Sequence, residues 1–209
     1  MKRARYRRDC AMVRIVFGLV AATCFAASGS AAPGSAGSSA QAVPVPAIGY
    51  ASGCFDAAAT HRAMRPALRI CDNALGDSAL SPADRAATLV NRGIILMEWG
   101  QPAAAIADFD TAIGLRPEFA EAYVNKGIAL LRIGNRDVEA VTTLSQGIAR
   151  NPLRPEIAYY QRAVANEGLG RVREAYEDYS RAAALAPEWA DPAEQLQRFQ
   201  TVRKKTLMG

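Results

Sequence analysis

The stretch NRGIILMEWG at residues 91–100 comes back as NKGIALLRIG at 125–134 and, blurred, as QRAVANEGLG at 161–170. Asn91 and Asn125 stand 34 positions apart, and Asn125 and Gln161 stand 36 apart. A fixed period between about 20 and 50 residues marks stacked supersecondary units, none of which can bury its apolar face alone. Divided on this period, the chain gives units at 86–119, 120–155 and 156–189. Each unit has a stretch with apolar residues at helical spacing and then a glycine (Gly100, Gly134, Gly170). A second such stretch follows, with a proline at its exit (Pro117, Pro152, Pro187). The pattern predicts one helical hairpin repeated three times, so an all-α fold of antiparallel helix pairs. The two additional residues of the middle unit fall after Gly134 and around Pro155, in loops, so its helices are expected to keep their length.

Small and large residues recur inside the units at fixed offsets. The first helices carry Leu89-Gly93-Leu96, Tyr123-Gly127-Leu130 and Tyr159-Ala163-Asn166. The second helices carry Ala105-Phe109-Ala112, Ala140-Leu144-Gly147 and Ala175-Tyr179-Ala182. A small residue lets two helices approach, and the large ones fill the gap between neighbouring hairpins. In these residues the chain resembles the tetratricopeptide repeat family, over 86–189. The resemblance implies an α-solenoid, a TPR-like superhelix that binds proteins rather than catalysing a reaction. The third copy departs from the pattern, with Ala163 for glycine and polar Asn166 in a core slot. Arg92, Lys126 and Arg162 occupy a position usually held by leucine, where their stems are expected to cover apolar surface.

Stacks of this kind need capped ends. Residues 51–80 are expected to form a divergent first hairpin, with Ala67, Cys71 and Ala74 echoing the second-helix spacing. Ser81-Pro82-Ala83-Asp84 has the residues of a helix start: an N-cap serine, a first-turn proline, and a carboxylate three positions on. Residues 190–209 are expected to form a capping helix, packing through Leu196, Phe199 and Val202.

The N-terminal region differs in composition from everything after it. Residues 1–31 hold six basic side chains and one acidic one; the other 178 are balanced at 19 of each. A neutral body offers no electrostatic footprint for phosphate backbones, so nucleic acid is not an expected partner. A basic start, the apolar run Ile15 to Ala27 and the small residues Gly29-Ser30-Ala31 have the three parts of a secretory signal, read as 1–31. Met12 is an alternative start. The run is shorter than the ~20 residues that span a bilayer, so an uncleaved anchor is the less favoured reading. Residues 32–50 are mostly Ala, Gly, Ser and Pro with no charge and read as a flexible linker. An exported chain, periplasmic or secreted, is therefore expected. Past residue 31 only Cys54 and Cys71 remain. An even pair in an exported chain suggests a disulfide, which would tie the first hairpin together; two separately buried thiols are the alternative.

No convergent catalytic set is visible, and no catalytic residue is assigned. His61 is the sole histidine, and there is no phosphate loop, HExxH or CxxC. The acid pairs Asp108/Asp110 and Glu177/Asp178 are expected to belong to solvated helix faces. Neither a metal nor a cofactor is expected. What remains is a second stripe on the first helices, at i, i+3, i+4, i+7 spacing and opposite the packing face. It comprises Val90, Asn91, Ile94 and Met97; Val124, Asn125, Ile128 and Leu131; and Tyr160, Gln161 and Val164. Side-chain amides at one register position can donate to and accept from a peptide backbone, with apolar neighbours forming pockets. The stripe is thus the expected groove for a protein or peptide partner, without the basic clamp that some family members use on C-terminal carboxylates. Glu121 and Glu167 are expected to border it. In the alternative, the amides tie helices together and the protein self-associates through its ends, or serves as an accessory subunit of an envelope complex.

Overall fold

Small residues at the predicted offsets bring the helices together in pairs. The computed structural model describes residues 44, 47, 51–60 and 64–207. The expected signal sequence, all but two positions of the linker, and His61 lie outside the described residues. Among the described residues the chain forms nine α-helices and no strand. They are α1 (Ser52–Ala59), α2 (Met64–Gly76), α3 (Pro82–Glu98), α4 (Pro102–Leu115), α5 (Ala120–Ile133), α6 (Asp137–Ile148), α7 (Pro155–Gly168), α8 (Val172–Leu185) and α9 (Ala190–Leu207). All of them belong to the compact unit Ser38–Gly209. Each helix packs on the next in sequence, and α1, α3, α5 and α7 also touch in succession. The odd-numbered helices therefore form one layer and the even-numbered ones a second layer behind it.

Close approach within the pairs depends on two glycines. A Cβ on Gly93 would sit 2.5 Å from Cε1 of Phe109, and one on Gly127 would sit 2.5 Å from Cγ of Leu144. In the third pair Ala163 is buried against Tyr179. The turns inside the pairs are made by Gly100, Gly134 and Gly170, at φ of 74°, 80° and 71°, where any other residue is strained.

The middle unit places its additional length in loops, at a small cost to one helix. Asn135 and Asn151 adopt left-handed backbone, at φ 55° and 56°, one in the loop before α6 and one in the loop after it. Asparagine tolerates this region better than most residues. The expectation that the helices keep their length needs correction, because α6 has 12 residues where α4 and α8 have 14.

Both ends of the stack are closed. Ser81 caps α3: its Oγ accepts from the Asp84 backbone N–H at 3.1 Å and donates to Asp84 Oδ2 at 2.7 Å. In the first hairpin Ala67, Cys71 and Ala74 are buried, and the Cys54 and Cys71 Cα atoms are 4.7 Å apart. At the other end Leu196 and Phe199 of α9 pack on Ala163, Ala175 and Tyr179. Ring contacts run through this cluster, with Tyr160 to Tyr179 at 5.3 Å and Tyr160 to Trp189 at 4.8 Å between centroids.

Candidate functional site

The predicted stripe lies on α3, α5 and α7, and part of it meets the second layer: a Cβ on Gly147 of α6 would sit 2.9 Å from Val124, and the Tyr160 ring lies 5.3 Å from that of Tyr179 on α8. The same register position carries Asn91, Asn125 and Gln161, so the layer of odd helices sets three amides in sequence. Val90, Ile94 and Met97 accompany the first, Val124, Ile128 and Leu131 the second, and Tyr160 and Val164 the third.

Their accessibility differs from the open groove that the sequence suggests. Val90, Asn91, Ile94, Met97, Val124, Asn125 and Ile128 are all buried, and Gln161 nearly so. Leu131, Tyr160 and Val164 are half-buried. Side-by-side contact of α1, α3, α5 and α7 closes the flanks of each stripe. The amides are not idle either. Asn125 Nδ2 donates to the Glu121 carbonyl at 2.9 Å, one turn back on its own helix. Neither Asn91 nor Gln161 is without a partner.

Glu121 and Glu167 do not border the stripe as free carboxylates. Glu121 is buried and its Oε1 accepts from the Leu153 backbone N–H at 2.8 Å, holding the loop after α6. Glu167 Oε2 accepts from the Tyr179 hydroxyl at 3.0 Å, and its Oε1 pairs with Arg198 of α9. Both acids are engaged in the packing of the stack.

The second layer holds an arrangement that helical periodicity alone does not show. Arg92 donates through Nε and Nη2 to the two Asp108 oxygens at 2.8 and 2.6 Å, and through Nη1 to Asp72 at 2.8 Å. Arg162 repeats the fork on Asp178, at 2.8 Å for both bonds, and reaches Ser145 Oγ at 3.0 Å. In the middle unit Thr143 takes the place of the aspartate, and Lys126 instead reaches back to Asp110 at 2.6 Å. Each cation thus joins its own first helix to the second helix of its own hairpin, the preceding hairpin, or both. The hydrogen bonds to Asp108 outweigh burial and hold the Arg92 guanidinium above its ordinary range; those to Asp178 do the same for Arg162. The expected solvated face survives for Asp110 and Glu177, which are exposed, and fails for Asp108 and Asp178, which are buried as ion-pair partners. Asn166 is satisfied in its core slot by donating to Asp178 Oδ2 at 3.4 Å.

Comparison with known proteins places this geometry. Tetratricopeptide repeat models match residues 90–152 and 157–188. Protein FlbA of Caulobacter vibrioides is 34% identical over 139 residues, covering 63% of this chain and 23% of FlbA. Tetratricopeptide repeat protein 36 of Danio rerio is 32% identical over 121 residues, covering 54% of this chain and 63% of the fish protein. The chain thus spans less than two thirds of these relatives. Among solved structures, MamA superposes with a TM-score of 0.59 at 22% identity, over 74% of this chain and 88% of MamA. The first TPR of Spaghetti (RPAP3), bound to the HSP90 peptide SRMEEVD, superposes with a TM-score of 0.55 at 21% identity, over 58% of this chain and 98% of that one. At these identities the two structures speak for the fold. Among the described residues no helix is long and apolar enough to cross a membrane.

Proposed function

We propose that this chain, a member of the tetratricopeptide repeat family, is a non-catalytic scaffold that holds a protein or peptide partner along the inner stripe of α3, α5 and α7 at the cell envelope. One observation carries the reading: three amides at one register position, Asn91, Asn125 and Gln161, aligned on three successive helices with apolar side chains beside each. Such an array suits an extended segment, whose backbone hydrogen-bonds at intervals while alternate side chains enter apolar pockets. The stripe carries no Lys or Arg, so a C-terminal carboxylate finds no clamp there. With Glu121 and Glu167 engaged in packing, the favoured partner segment is uncharged. Both ends of the stack are covered, by α1–α2 and by α9, which favours the stripe over end-to-end self-association. The envelope location rests on the composition of residues 1–31.

The test is affinity capture from envelope extract with the unsubstituted chain and with the Asn91→Ala/Asn125→Ala double variant. The expected result is loss of a captured partner with an unchanged far-ultraviolet helix signal. An identical set of captured proteins from both baits would contradict the reading.

A further inference from the structure

Each first-helix cation reaches back to the second helix of the preceding hairpin, and the acceptor it meets there changes along the stack. Arg92 meets Asp72 at 2.8 Å and Lys126 meets Asp110 at 2.6 Å, whereas Arg162 meets the hydroxyl of Ser145 at 3.0 Å. The third interval thus has a hydroxyl where the first two have a carboxylate. A cleft of about 300 Å³ opens at this place, between α6 and α8 and over α7, with Ser145 and Arg162 in its lining. Arg171, the N-cap of α8, and Glu174, three positions on, also line it. The corresponding pair in the preceding hairpin is Arg136 and Glu139, which bond to each other at 2.9 Å. Arg171 and Glu174 are both exposed, and neither side chain forms a hydrogen bond or an ion pair with another described residue. The two other acids of the lining are engaged, Asp178 by the Arg162 fork and Glu177 by Arg173, each at 2.8 Å. The cleft is left with one cation and one anion that have no mate.

We propose that this cleft is a binding site for a free α-amino acid with a small apolar side chain. The carboxylate of the guest takes the place that Asp72 and Asp110 hold in the first two intervals, on Arg162 and Ser145 with Arg171 beside it. Its ammonium group pairs with Glu174, and its side chain lies against Val141 of the lining. The floor suits an acceptor: Ser145 accepts from Arg162, so its own O–H remains a donor. The Arg162 side chain keeps 23% of its surface in water, so a guest reaches it from solvent. A plain anion would leave Glu174 unmatched and a plain cation would leave Arg171 unmatched, whereas a zwitterion pairs with both. Neither terminus of a peptide carries both charges on one carbon, which favours the free amino acid. The volume lies at the small end for ligand sites, which suits one residue rather than a chain of them.

The experiment titrates the full chain by calorimetry with L-valine, with isovalerate and with isobutylamine, the last two each lacking one of the two charges. Valine is expected to bind, and each analogue to bind at least about tenfold more weakly, the effect of losing one charge-assisted contact. Glu174→Gln, at an exposed position, is expected to weaken valine by a similar factor. Ser145→Asp supplies the missing carboxylate from the chain itself and is expected to abolish binding with an unchanged far-ultraviolet helix signal. Absence of valine binding, an analogue that binds as tightly as valine, or unaltered affinity in Glu174→Gln would each overturn the proposal. So would full valine affinity in Ser145→Asp. The capture result with the amide double variant concerns other residues, so this inference and the proposed function fall separately.

Discussion

Single residues decide how closely the two layers approach. Gly93→Ala and Gly127→Ala each place a Cβ at 2.5 Å from Phe109 or Leu144. Alanine gains helix propensity of about 1 kcal/mol over glycine, but overpacking costs about 1–3 kcal/mol. The collision dominates because the atoms struck are the ring of Phe109 and the branched Cγ of Leu144. Each variant is expected to lower stability by about 1–2 kcal/mol in urea unfolding; a midpoint at or above that of the unsubstituted chain would refute the packing argument. The Arg92–Asp108 fork is the second residue-scale determinant. Asp108→Ala leaves a guanidinium that keeps 27% of its side-chain surface in water, so the expected loss is about 2 kcal/mol, below the ~3–5 of a fully buried broken pair. Asp110→Ala, whose partner is an exposed ion pair, is expected to change stability by less than about 1 kcal/mol. The glycines were legible in the sequence because their offset from a large residue is local to the hairpin. The forks were not. Positions 92 and 108 are brought together by the hairpin turn: helical spacing sets Asp108 on the face of Ala105, Phe109 and Ala112, but a wheel of α4 alone does not name the partner it meets there.

Elements at the two ends of the stack follow their sequence signals most closely. The Ser81 cap, the first-hairpin spacing and the packing of Leu196 and Phe199 are each fixed by short-range pattern. Ser81→Ala removes a hydrogen bond to an otherwise orphaned N–H and is expected to cost about 1 kcal/mol in thermal or urea unfolding. A bond between Cys54 and Cys71 closes a separation of 17 residues, which corresponds to about 3 kcal/mol in the chain-entropy account. The expected outcome is that neither thiol reacts with an alkylating reagent in oxidised, unfolded protein, and that reduction lowers the unfolding midpoint. Alkylation at both positions would show two free thiols instead. At this scale the sequence misjudged α6 and the stripe. The shortening of α6 lies at its C-terminal end, just before the left-handed Asn151, whose conformation no periodicity encodes. The stripe residues fall on α3, α5 and α7, yet their exposure depends on how helices distant in sequence pack together, which helical spacing does not register.

For the molecule as a whole, stacking explains why ten residues recur with most of their chemistry intact. Each copy carries two stripes: Gly93 meets Phe109 of the second layer, while Asn91, Ile94 and Met97 lie buried on a neighbouring stripe of the same helix. The forks at Arg92 and Arg162 and the bridge at Lys126 bind successive units, so the stripe is held as one surface rather than three. On the proposed reading, differences among the copies set what that surface accepts, moving from Ile94 and Met97 through Ile128 and Leu131 to Tyr160 and Val164. The most direct measurement is site-specific photo-crosslinking, with benzophenone-bearing residues placed singly at Leu131, half-buried on the stripe, and at Val138, exposed at the start of α6. A partner crosslinked from Leu131 and not from Val138 is the predicted result. Crosslinks from Val138 with none from Leu131 would contradict it.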